Sequence, residues 1–475
     1  MNVNSNNSAQ THLYMRRVLL WIVGFLGAVL GLAMLALQML GMSPTSLSAN
    51  IAVGTGMGAK MACSGRFISG FDEAQIRDDL VSYSPAYEWI AITLDDKGRR
   101  ATADLLGFSR TSATFRQGLG CTLDADANSP EYIGLLDRLD PPIAPRVAEQ
   151  SFWPVGTQVA EPDADLVAAL AQSMGQDLQQ DLQTRALVLV QAGRIVAEAY
   201  APGIAPDTPL MGWSQGKSLT ALMLGWLEMR GQLSVTEENL FPVWANDSRA
   251  KISTENLLQM SSGLDFAEVY APGSDATRML FMDPVASALP MQSALKHPQG
   301  SHFYYSSGTT NLLTLLFSER VGGPQNALNH LYRDILWPLG MRHTTLEPDA
   351  SGVFVGSSNI YASARDWARL GQLFLQQGEL NGVRIASRNY MQALAQPNAS
   401  SNGAAYGYQV WLNRGGKVLR WPDLPADAYA FMGNRGQVVM IIPSLDTVMV
   451  RLGWSVKDYP RNARFAEWLR VLDAD

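Results

Sequence analysis

Hydrophobic positions divide the last two thirds of the chain into strands at its two ends and helices between them. Residues 186–190 and 195–200 are rich in apolar and β-branched residues on either side of a short turn, which predicts a β-hairpin. A second hairpin is predicted from residues 438–442 and 447–452 by the same pattern. Apolar residues at helical spacing predict helices over residues 214–230, 309–320, 326–336, 363–377 and 463–472.

This order of elements predicts the fold class. Because strands lie at both ends of the region, we expect one antiparallel sheet built from both ends of the domain, flanked by helices and with a helical subdomain beside it. The predicted fold is therefore α+β, an α/β sandwich, and the predicted domain spans residues 150–475.

A smaller β-rich domain is predicted before it, over residues 59–140. Residues 87–94 are rich in aromatic and β-branched residues, and residues 100–105 return after a turn at 95–98. Three prolines within residues 140–145 exclude a helix and stiffen the chain, so this segment is the predicted linker.

The first apolar stretch predicts a membrane segment. No charged residue lies between Val18 and Leu37, a run long enough to cross a bilayer. Two arginines precede it and the next cation is Lys60. The positive-inside rule then predicts a cytoplasmic N-terminus over residues 1–17, a transmembrane anchor over residues 18–38 and the remainder on the exported, periplasmic side. A cleaved signal peptide is the alternative, because small residues shortly after the stretch resemble a cleavage site.

Composition narrows the possible partners and cofactors. The chain has 475 residues and a net charge of -7, which argues against nucleic acid as a partner because nucleic acid binds basic surfaces. The five histidines lack metal-binding spacings, and no phosphate-binding glycine loop follows a strand, so no metal and no cofactor are expected. Cys63 and Cys121 would form a disulfide in an oxidising compartment; two unrelated buried thiols are the alternative.

The candidate chemistry is centred on Ser214. The sequence Gly212-Trp213-Ser214-Gln215-Gly216-Lys217 fits S-x-x-K, in which a lysine serves a serine nucleophile. The same spacing occurs at Ser248 and Ser293, but only Ser214 is followed by a long apolar run that predicts a buried helix. Residues i and i+3 share a helix face, so the Lys217 amine can reach the serine oxygen.

The segment also fits G-x-S-x-G, the nucleophile turn of α/β-hydrolases. That alternative requires a strand running into Gly212 and a histidine as base. Two prolines precede Gly212, and His302 and His343 are the candidate bases. An α/β-hydrolase esterase therefore remains a second hypothesis.

Three segments occur in the order and approximate spacing of the class C β-lactamase-like serine hydrolases: Ser214–Lys217, Tyr305-Ser306-Ser307 and Gly433-Asn434-Arg435-Gly436-Gln437. The chain resembles this penicillin-recognising superfamily over about residues 150–475, most closely the branch of 6-aminohexanoate-dimer hydrolases and related esterases. The resemblance implies a β-lactamase/transpeptidase-like fold. It also implies hydrolysis of a small-molecule linear amide or carboxylester through an acyl-enzyme.

The resemblance implies a role for each site residue. Ser214 is the nucleophile, and Lys217 is its base, which must be a neutral amine with a lowered pKa. Tyr305 is the second proton carrier, with a pKa that charged Lys217 would lower. The backbone N–H groups of Ser214 and Asn434 form the oxyanion hole. The residues implied to contact the substrate are Tyr270, Ser307 and Gly433.

Two features depart from the β-lactamase pattern. Met432-Gly433-Asn434 stands where β-lactamases have K-T-G, whose cation and hydroxyl bind the substrate carboxylate, and the direction of Arg435 is open. Gln215 and Gly216 are unusual inside the first motif. These departures favour an ester or linear amide over a β-lactam. They also leave open a non-catalytic, penicillin-binding-like module that keeps the fold and pocket.

Overall fold

The computed structural model describes residues 14–21, 43–125, 129–145, 151–403 and 405–473, and residues 14–21 are helical. The remaining helices are α1 Pro44–Phe67, α2 Glu73–Tyr83, α3 Ala164–Gln179, α4 Gly216–Met229, α5 Thr254–Leu258, α6 Asp275–Phe281, α7 Ala288–Gln292, α8 Ser307–Arg320, α9 Pro324–His330, α10 Ala364–Leu375, α11 Arg388–Leu394 and α12 Arg461–Leu472. The strands are β1 Ala91–Asp95, β2 Arg100–Leu105, β3 Ser109–Arg116, β4 Gly120–Leu123, β5 Thr184–Gln191, β6 Arg194–Tyr200, β7 Leu210–Met211, β8 Thr344–Leu346, β9 Ile360–Ala362, β10 Glu379–Leu380, β11 Val383–Arg384, β12 Trp411–Leu412, β13 Tyr429–Gly433, β14 Gln437–Ile442 and β15 Thr447–Gly453.

Six antiparallel strands form the central sheet, in the order β12-β13-β14-β15-β5-β6. The pairing of β15 with β5 places the last strands of the chain beside the first strands of this region. The predicted α+β fold, with one antiparallel sheet built from both ends, is therefore confirmed. Both predicted hairpins are present with only small differences in their bounds.

Helices cover both faces of this sheet. Helix α10 packs against β5, β14 and β15 on one face, where α4 and α8 complete the largest apolar core. Helices α3 and α12 pack together on the other face. Because both faces are covered, β14 and β15 are buried along their whole length, which explains their nearly continuous Val, Ile and Met sequence.

The N-terminal part contains a second antiparallel sheet, in the order β1-β2-β3-β4, which packs against α1. Cys63 on α1 and Cys121 on β4 are joined by a disulfide. The strand predicted at residues 87–94 begins only at Ala91, because Pro85 starts a 3-10 turn that contains Tyr87. Helices α1 and α2 are absent from the sequence-based prediction.

A buried ion pair connects α1 to the rest of the chain. Lys60 pairs with Glu347, and both side chains are almost completely buried. The Ser64 hydroxyl and the Cys121 N–H donate to the second carboxylate oxygen at 2.8 and 2.7 Å. Burial lowers the pKa of Lys60, and the Glu347 carboxylate opposes that shift. Since these contacts join segments assigned to different predicted domains, the division into residues 59–140 and 150–475 stays a prediction.

The prediction of a membrane anchor is corrected by the described residues. Among them, no helix is both long enough and apolar enough to cross a bilayer. Helix α1 spans 24 residues, but it carries Lys60 and Arg66 and packs against the protein's own sheet. The predicted anchor, and the membrane-anchored, exported location that rested on it, are therefore not retained; residues 22–38 of that segment lie outside the described residues.

Candidate active site

The turn that carries Ser214 connects β7 to α4. Trp213–Gln215 form one 3-10 turn, and Trp213 has a left-handed φ of 50°, which is unusual for an aromatic residue. Its ring stacks between Tyr83 and Trp454, with centroids 6.0 Å away on each side. Because Trp213 and Gln215 are buried, Ser214 is the half-exposed residue of the turn.

Close backbone approach explains the glycines around Ser214. A Cβ atom at Gly216 would lie 2.6 Å from the carbonyl oxygen of Gly356, so only glycine fits there without displacement. This accounts for the unusual residue in the first motif. A Cβ atom at Gly433 would lie 2.2 Å from the carbonyl oxygen of Gly212. The end of β13 therefore lies directly against the turn that carries Ser214.

Lys217 points from the first turn of α4 towards Ser214. Its side chain is buried, with 1 % of the residue exposed. The Nζ atom lies 3.0 Å from Ser214 Oγ, 3.0 Å from Ser307 Oγ and 2.9 Å from the carbonyl oxygen of Ser357. Burial lowers the pKa of Lys217 to about 8, against the opposing effect of the Glu268 carboxylate. About one tenth of the amine is therefore neutral at pH 7, far more than for a solvent-exposed lysine.

The three partners of the Lys217 amine fit either of its protonation states. The Ser357 carbonyl can only accept a hydrogen bond. Ser307 donates its hydroxyl proton to Glu268 at 2.6 Å, so its oxygen accepts from the amine. The protonated amine donates to all three oxygens, whereas a neutral amine that donates to Ser357 and Ser307 has its lone pair left for Ser214.

Tyr305 lies on the other side of the serine. Its hydroxyl hydrogen-bonds to Ser214, and Lys217 Nζ is 4.9 Å from its ring centroid. Its ring stacks on Trp411 at 5.2 Å. Burial raises the pKa of Tyr305, whereas the sequence analysis expected Lys217 to lower it. The phenol therefore keeps its proton near neutral pH, because desolvation outweighs the opposing effect of the hydrogen bond to Ser214.

Glu268 is the site residue that the sequence analysis missed. One carboxylate oxygen accepts the Ser307 N–H at 2.7 Å, and the other accepts the hydroxyls of Ser307 and Tyr270, each at 2.6 Å. The Tyr270 hydroxyl also lies 3.5 Å from Ser307 Oγ. Burial, followed by the Glu268 charge, raises the pKa of Tyr270. The loop that contains Tyr270 therefore reaches the lysine through one carboxylate and one serine.

Asn434 and Arg435 follow β13 at the edge of the site. The Asn434 side chain accepts the N–H of Arg435 at 2.9 Å and bonds to Tyr83. The Arg435 guanidinium lies over the rings of Tyr83 and Trp454, at 4.4 and 5.6 Å, and donates to a backbone carbonyl at the end of α2. The Arg435 side chain, whose direction the sequence left open, therefore points towards the N-terminal part of the chain.

The other serines named in the sequence analysis lie at the ends of helices or turns. Ser306 caps α8, with its Oγ accepting the Thr309 N–H at 3.1 Å. Ser248 begins a 3-10 turn, and Ser293 follows the short helix α7.

The partners found for Ser214 are an amine and a phenol, and the sheet is antiparallel throughout. The α/β-hydrolase alternative, which needs a histidine beside Ser214, is therefore not supported by the described residues.

The family model described as Beta-lactamase matches residues 164–473. The chain belongs to the Beta-lactamase family. Members of this family are serine hydrolases. Ser214, Lys217 and Tyr305, which the resemblance implied as site residues, lie together in one site of this chain. The 6-aminohexanoate-dimer hydrolase of Paenarthrobacter ureafaciens is 25% identical over 297 residues, which cover 58% of this chain and 74% of the relative.

Solved structures show the same fold. A candidate 6-aminohexanoate-dimer hydrolase from Bacillus anthracis superposes with a TM-score of 0.56 at 19% identity, covering 74% of this chain and 94% of that one. A penicillin-binding protein homologue from Caulobacter crescentus has a TM-score of 0.53 at 17% identity, covering 66% and 99%. The predicted β-lactamase-like fold and family resemblance are therefore confirmed.

Proposed function

We propose that this protein hydrolyses a linear amide or a carboxylester through an acyl-enzyme formed on Ser214. The observation that carries the proposal is the buried Lys217 amine, 3.0 Å from Ser214 Oγ and with a pKa lowered to about 8. A serine hydroxyl becomes a useful nucleophile only when a neighbouring base takes its proton. The similarity to a 6-aminohexanoate-dimer hydrolase supports an amide-type substrate.

In the proposed first step, the Ser214 proton moves to Lys217 while Oγ attacks the substrate carbonyl. The oxyanion that forms is held by the backbone N–H groups of Ser214 and Asn434, and each such donor typically contributes about 3 kcal/mol. The contact between Gly433 and Gly212 supports this assignment, because it brings the end of β13 beside the serine turn.

In the proposed second step, the C–N or C–O bond of the substrate breaks and the leaving group takes a proton from the Tyr305 phenol. The protonated Lys217 restores that proton. Water then attacks the acyl-enzyme, with the same groups moving protons in reverse, and releases the acid. The raised pKa of Tyr305 supports a role as proton donor, since the phenol keeps its proton until the leaving group needs it.

A β-lactam or another substrate with a carboxylate at the K-T-G position is disfavoured. Arg435 lies over Tyr83 and Trp454, and the closest ionised group to Lys217 in its hydrogen-bond network is the Glu268 carboxylate. An anionic substrate group beside Glu268 would meet like charge. Ser307, Tyr270 and Gly433 are proposed to contact a neutral amide or ester instead.

Labelling with a fluorophosphonate probe followed by peptide mass spectrometry tests the proposal directly. We expect the label on Ser214, and we expect Ser214→Ala to lose hydrolysis of p-nitrophenyl butyrate while Ser248→Ala, with the same S-x-x-K spacing, retains it. Equal activity in the two variants would remove Ser214 from the mechanism. Folded protein that neither labels nor hydrolyses esters or amides would instead favour the non-catalytic binding module.

A further inference from the structure

An apolar cleft of about 590 Å³ opens beside the proposed active site. Its walls come from α1, from the segment between α2 and β1, and from the loop and helix around Tyr270 and α6. The apolar residues that line it include Val53, Met57, Trp89, Ile90 and Phe281. No Lys, Arg, Asp or Glu is among its described lining residues. The volume is within the range of about 300–1,000 Å³ that is usual for small-molecule sites.

Two tyrosines of the cleft wall also reach the catalytic groups. The Tyr270 hydroxyl lies 3.5 Å from Ser307 Oγ, which is 3.0 Å from Lys217 Nζ. The Tyr83 ring stacks on Trp213, the residue before Ser214, and its hydroxyl bonds to Asn434. Two residues of the cleft wall therefore contact the groups that surround the nucleophile turn and the proposed oxyanion hole.

The position of the leaving-group donor indicates which half of the substrate enters the cleft. Tyr305 packs against Trp411 and Tyr406, at 5.2 and 6.1 Å between ring centroids. Neither Trp411 nor Tyr406 lines the cleft. The proposed leaving group lies at Tyr305, and the Trp411 and Tyr406 rings offer it an apolar surface outside the cleft.

We infer that this cleft binds the uncharged, apolar acyl chain of the substrate. The inference rests on the proposed function, because it places a chain whose carbonyl is at Ser214. The Glu268 carboxylate at the Tyr270 end disfavours a negative charge on that chain. The lining from α1 and from the segment before β1 precedes residue 164, where the family match begins. Chain-length preference would therefore come from a part of the protein outside the family match.

A series of p-nitrophenyl esters from acetate to octanoate tests the inference. Each buried methylene should raise kcat/KM by up to about fourfold, which corresponds to about 0.8 kcal/mol. Gly54→Leu should abolish this increase, because Gly54 lines the cleft and the nearest atom to a new Cβ is 3.6 Å away. Gly175→Leu is the matched control: it is a glycine in helix α3 with open space around it, and the increase should persist.

A second variant tests the same inference if Gly54→Leu does not fold. Trp89 lines the cleft but is 70% exposed, so Trp89→Ala should fold and should lower the octanoate-to-acetate ratio of kcat/KM severalfold. A flat dependence on acyl length in the parent protein would overturn the inference. So would an equal loss for all esters in both variants, or a dependence on the length of the leaving group alone.

A binding measurement separates this inference from the proposed function. Ser214→Ala cannot form an acyl-enzyme, yet it should bind octananilide, a neutral amide with an apolar acyl chain, as followed by tryptophan fluorescence. Adding Gly54→Leu to that variant should weaken binding at least about tenfold. If no ester is hydrolysed but octananilide binds in this way, the proposed function fails and the cleft assignment stands. Absence of binding to Ser214→Ala refutes the cleft assignment.

Discussion

Replacing Glu268 with Gln should move the pH dependence of hydrolysis to lower pH. The Glu268 carboxylate reaches Lys217 through one hydroxyl: it accepts the Ser307 proton at 2.6 Å, and Ser307 Oγ is 3.0 Å from Lys217 Nζ. Its charge stabilises the protonated amine and so raises the pKa of Lys217. Burial acts in the opposite direction and is the larger effect. Removing the charge leaves the effect of burial unopposed.

The magnitude follows from the fraction of neutral lysine. With a pKa of about 8, only about one tenth of Lys217 is neutral at pH 7. An opposite charge at this distance typically shifts a pKa by about one unit or more, and we take about one because Glu268 is half-exposed and water screens it. About half of the lysine in Glu268→Gln is then neutral at pH 7. Its rate at pH 7, relative to its own plateau, should be about fivefold higher than in the parent.

The direction of the shift in pH dependence follows from the proposed role of the Lys217 amine. In the proposed mechanism, Lys217 accepts the Ser214 proton only when it is neutral, so kcat/KM should rise with pH through about 8 and then level off. Glu268→Gln should shift this rise to lower pH. Tyr305 does not contribute to the rise, because burial holds its pKa well above that range. The position of the rise is the measurement, because the height of the plateau can change for another reason. Gln has one acceptor oxygen, so it cannot replace both carboxylate oxygens, which accept the Ser307 N–H and the two hydroxyls.

The assay is kcat/KM for p-nitrophenyl butyrate from about pH 6 to about pH 10, with hydrolysis in the presence of Ser214→Ala subtracted as background. Glu268→Asp keeps the charge and is the matched control, for which the rise should stay near its parental position. A rise in Glu268→Gln at the same or higher pH would refute the electrostatic reasoning. A parent profile without any rise near pH 8 would remove Lys217 as the base.

Two further predictions concern buried contacts. Lys60→Met leaves the Glu347 carboxylate buried without its cation and should lower the free energy of unfolding, measured by urea denaturation, by about 3–5 kcal/mol. Lys296→Met breaks an exposed ion pair and should change it by at most about 1 kcal/mol, so equal losses in the two variants would contradict the argument from burial. Gly216→Ala should lower both the free energy of unfolding and the rate of fluorophosphonate labelling, because its Cβ would lie 2.6 Å from a backbone carbonyl oxygen. Gly175→Ala, in open space on a helix, should be neutral or stabilising by about 1 kcal/mol. Unchanged labelling and stability in Gly216→Ala would refute the close contact.

Parts of the molecule whose signal is local were predictable from sequence. Strands β14 and β15 are buried on both faces, so their apolar runs identified them and their hairpin. The Ser214–Lys217 contact depends only on the spacing of one helical turn. The sheet built from both ends followed from the order of these elements.

Helix α1 was missed because its sequence is poor in helix-forming signals. It contains several glycines, each of which disfavours a helix by about 1 kcal/mol relative to alanine. Tertiary packing explains the glycines: a Cβ atom at Gly56 would lie 1.7 Å from the Phe281 carbonyl oxygen. Such close approach to α6 becomes visible only when both segments are in place.

Glu268 and the pKa of Tyr305 depend on burial and on long-range contacts. Glu268 lies on a loop without periodicity, and its partner Ser307 is 39 residues away in sequence. The one available signal is that Glu268 precedes Tyr270 by two residues, a position already implicated by the family resemblance. For Tyr305, the sequence suggested a neighbouring amine that would lower its pKa, but it does not give the desolvation that raises it.

The stack around Trp213 links the strained serine turn to the proposed preference for neutral substrates. A left-handed aromatic residue costs of order 1–3 kcal/mol and persists only where its surroundings hold it. Tyr83 and Trp454 hold Trp213 from both sides, and Arg435 lies over both of these rings. The cation nearest to the missing K-T-G position is thus used to stabilise the stack, and Tyr83 comes from the segment that also lines the apolar cleft. One N-terminal segment therefore both contacts Arg435 and lines the apolar cleft, and the two observations support the proposed preference for neutral substrates with an apolar acyl chain.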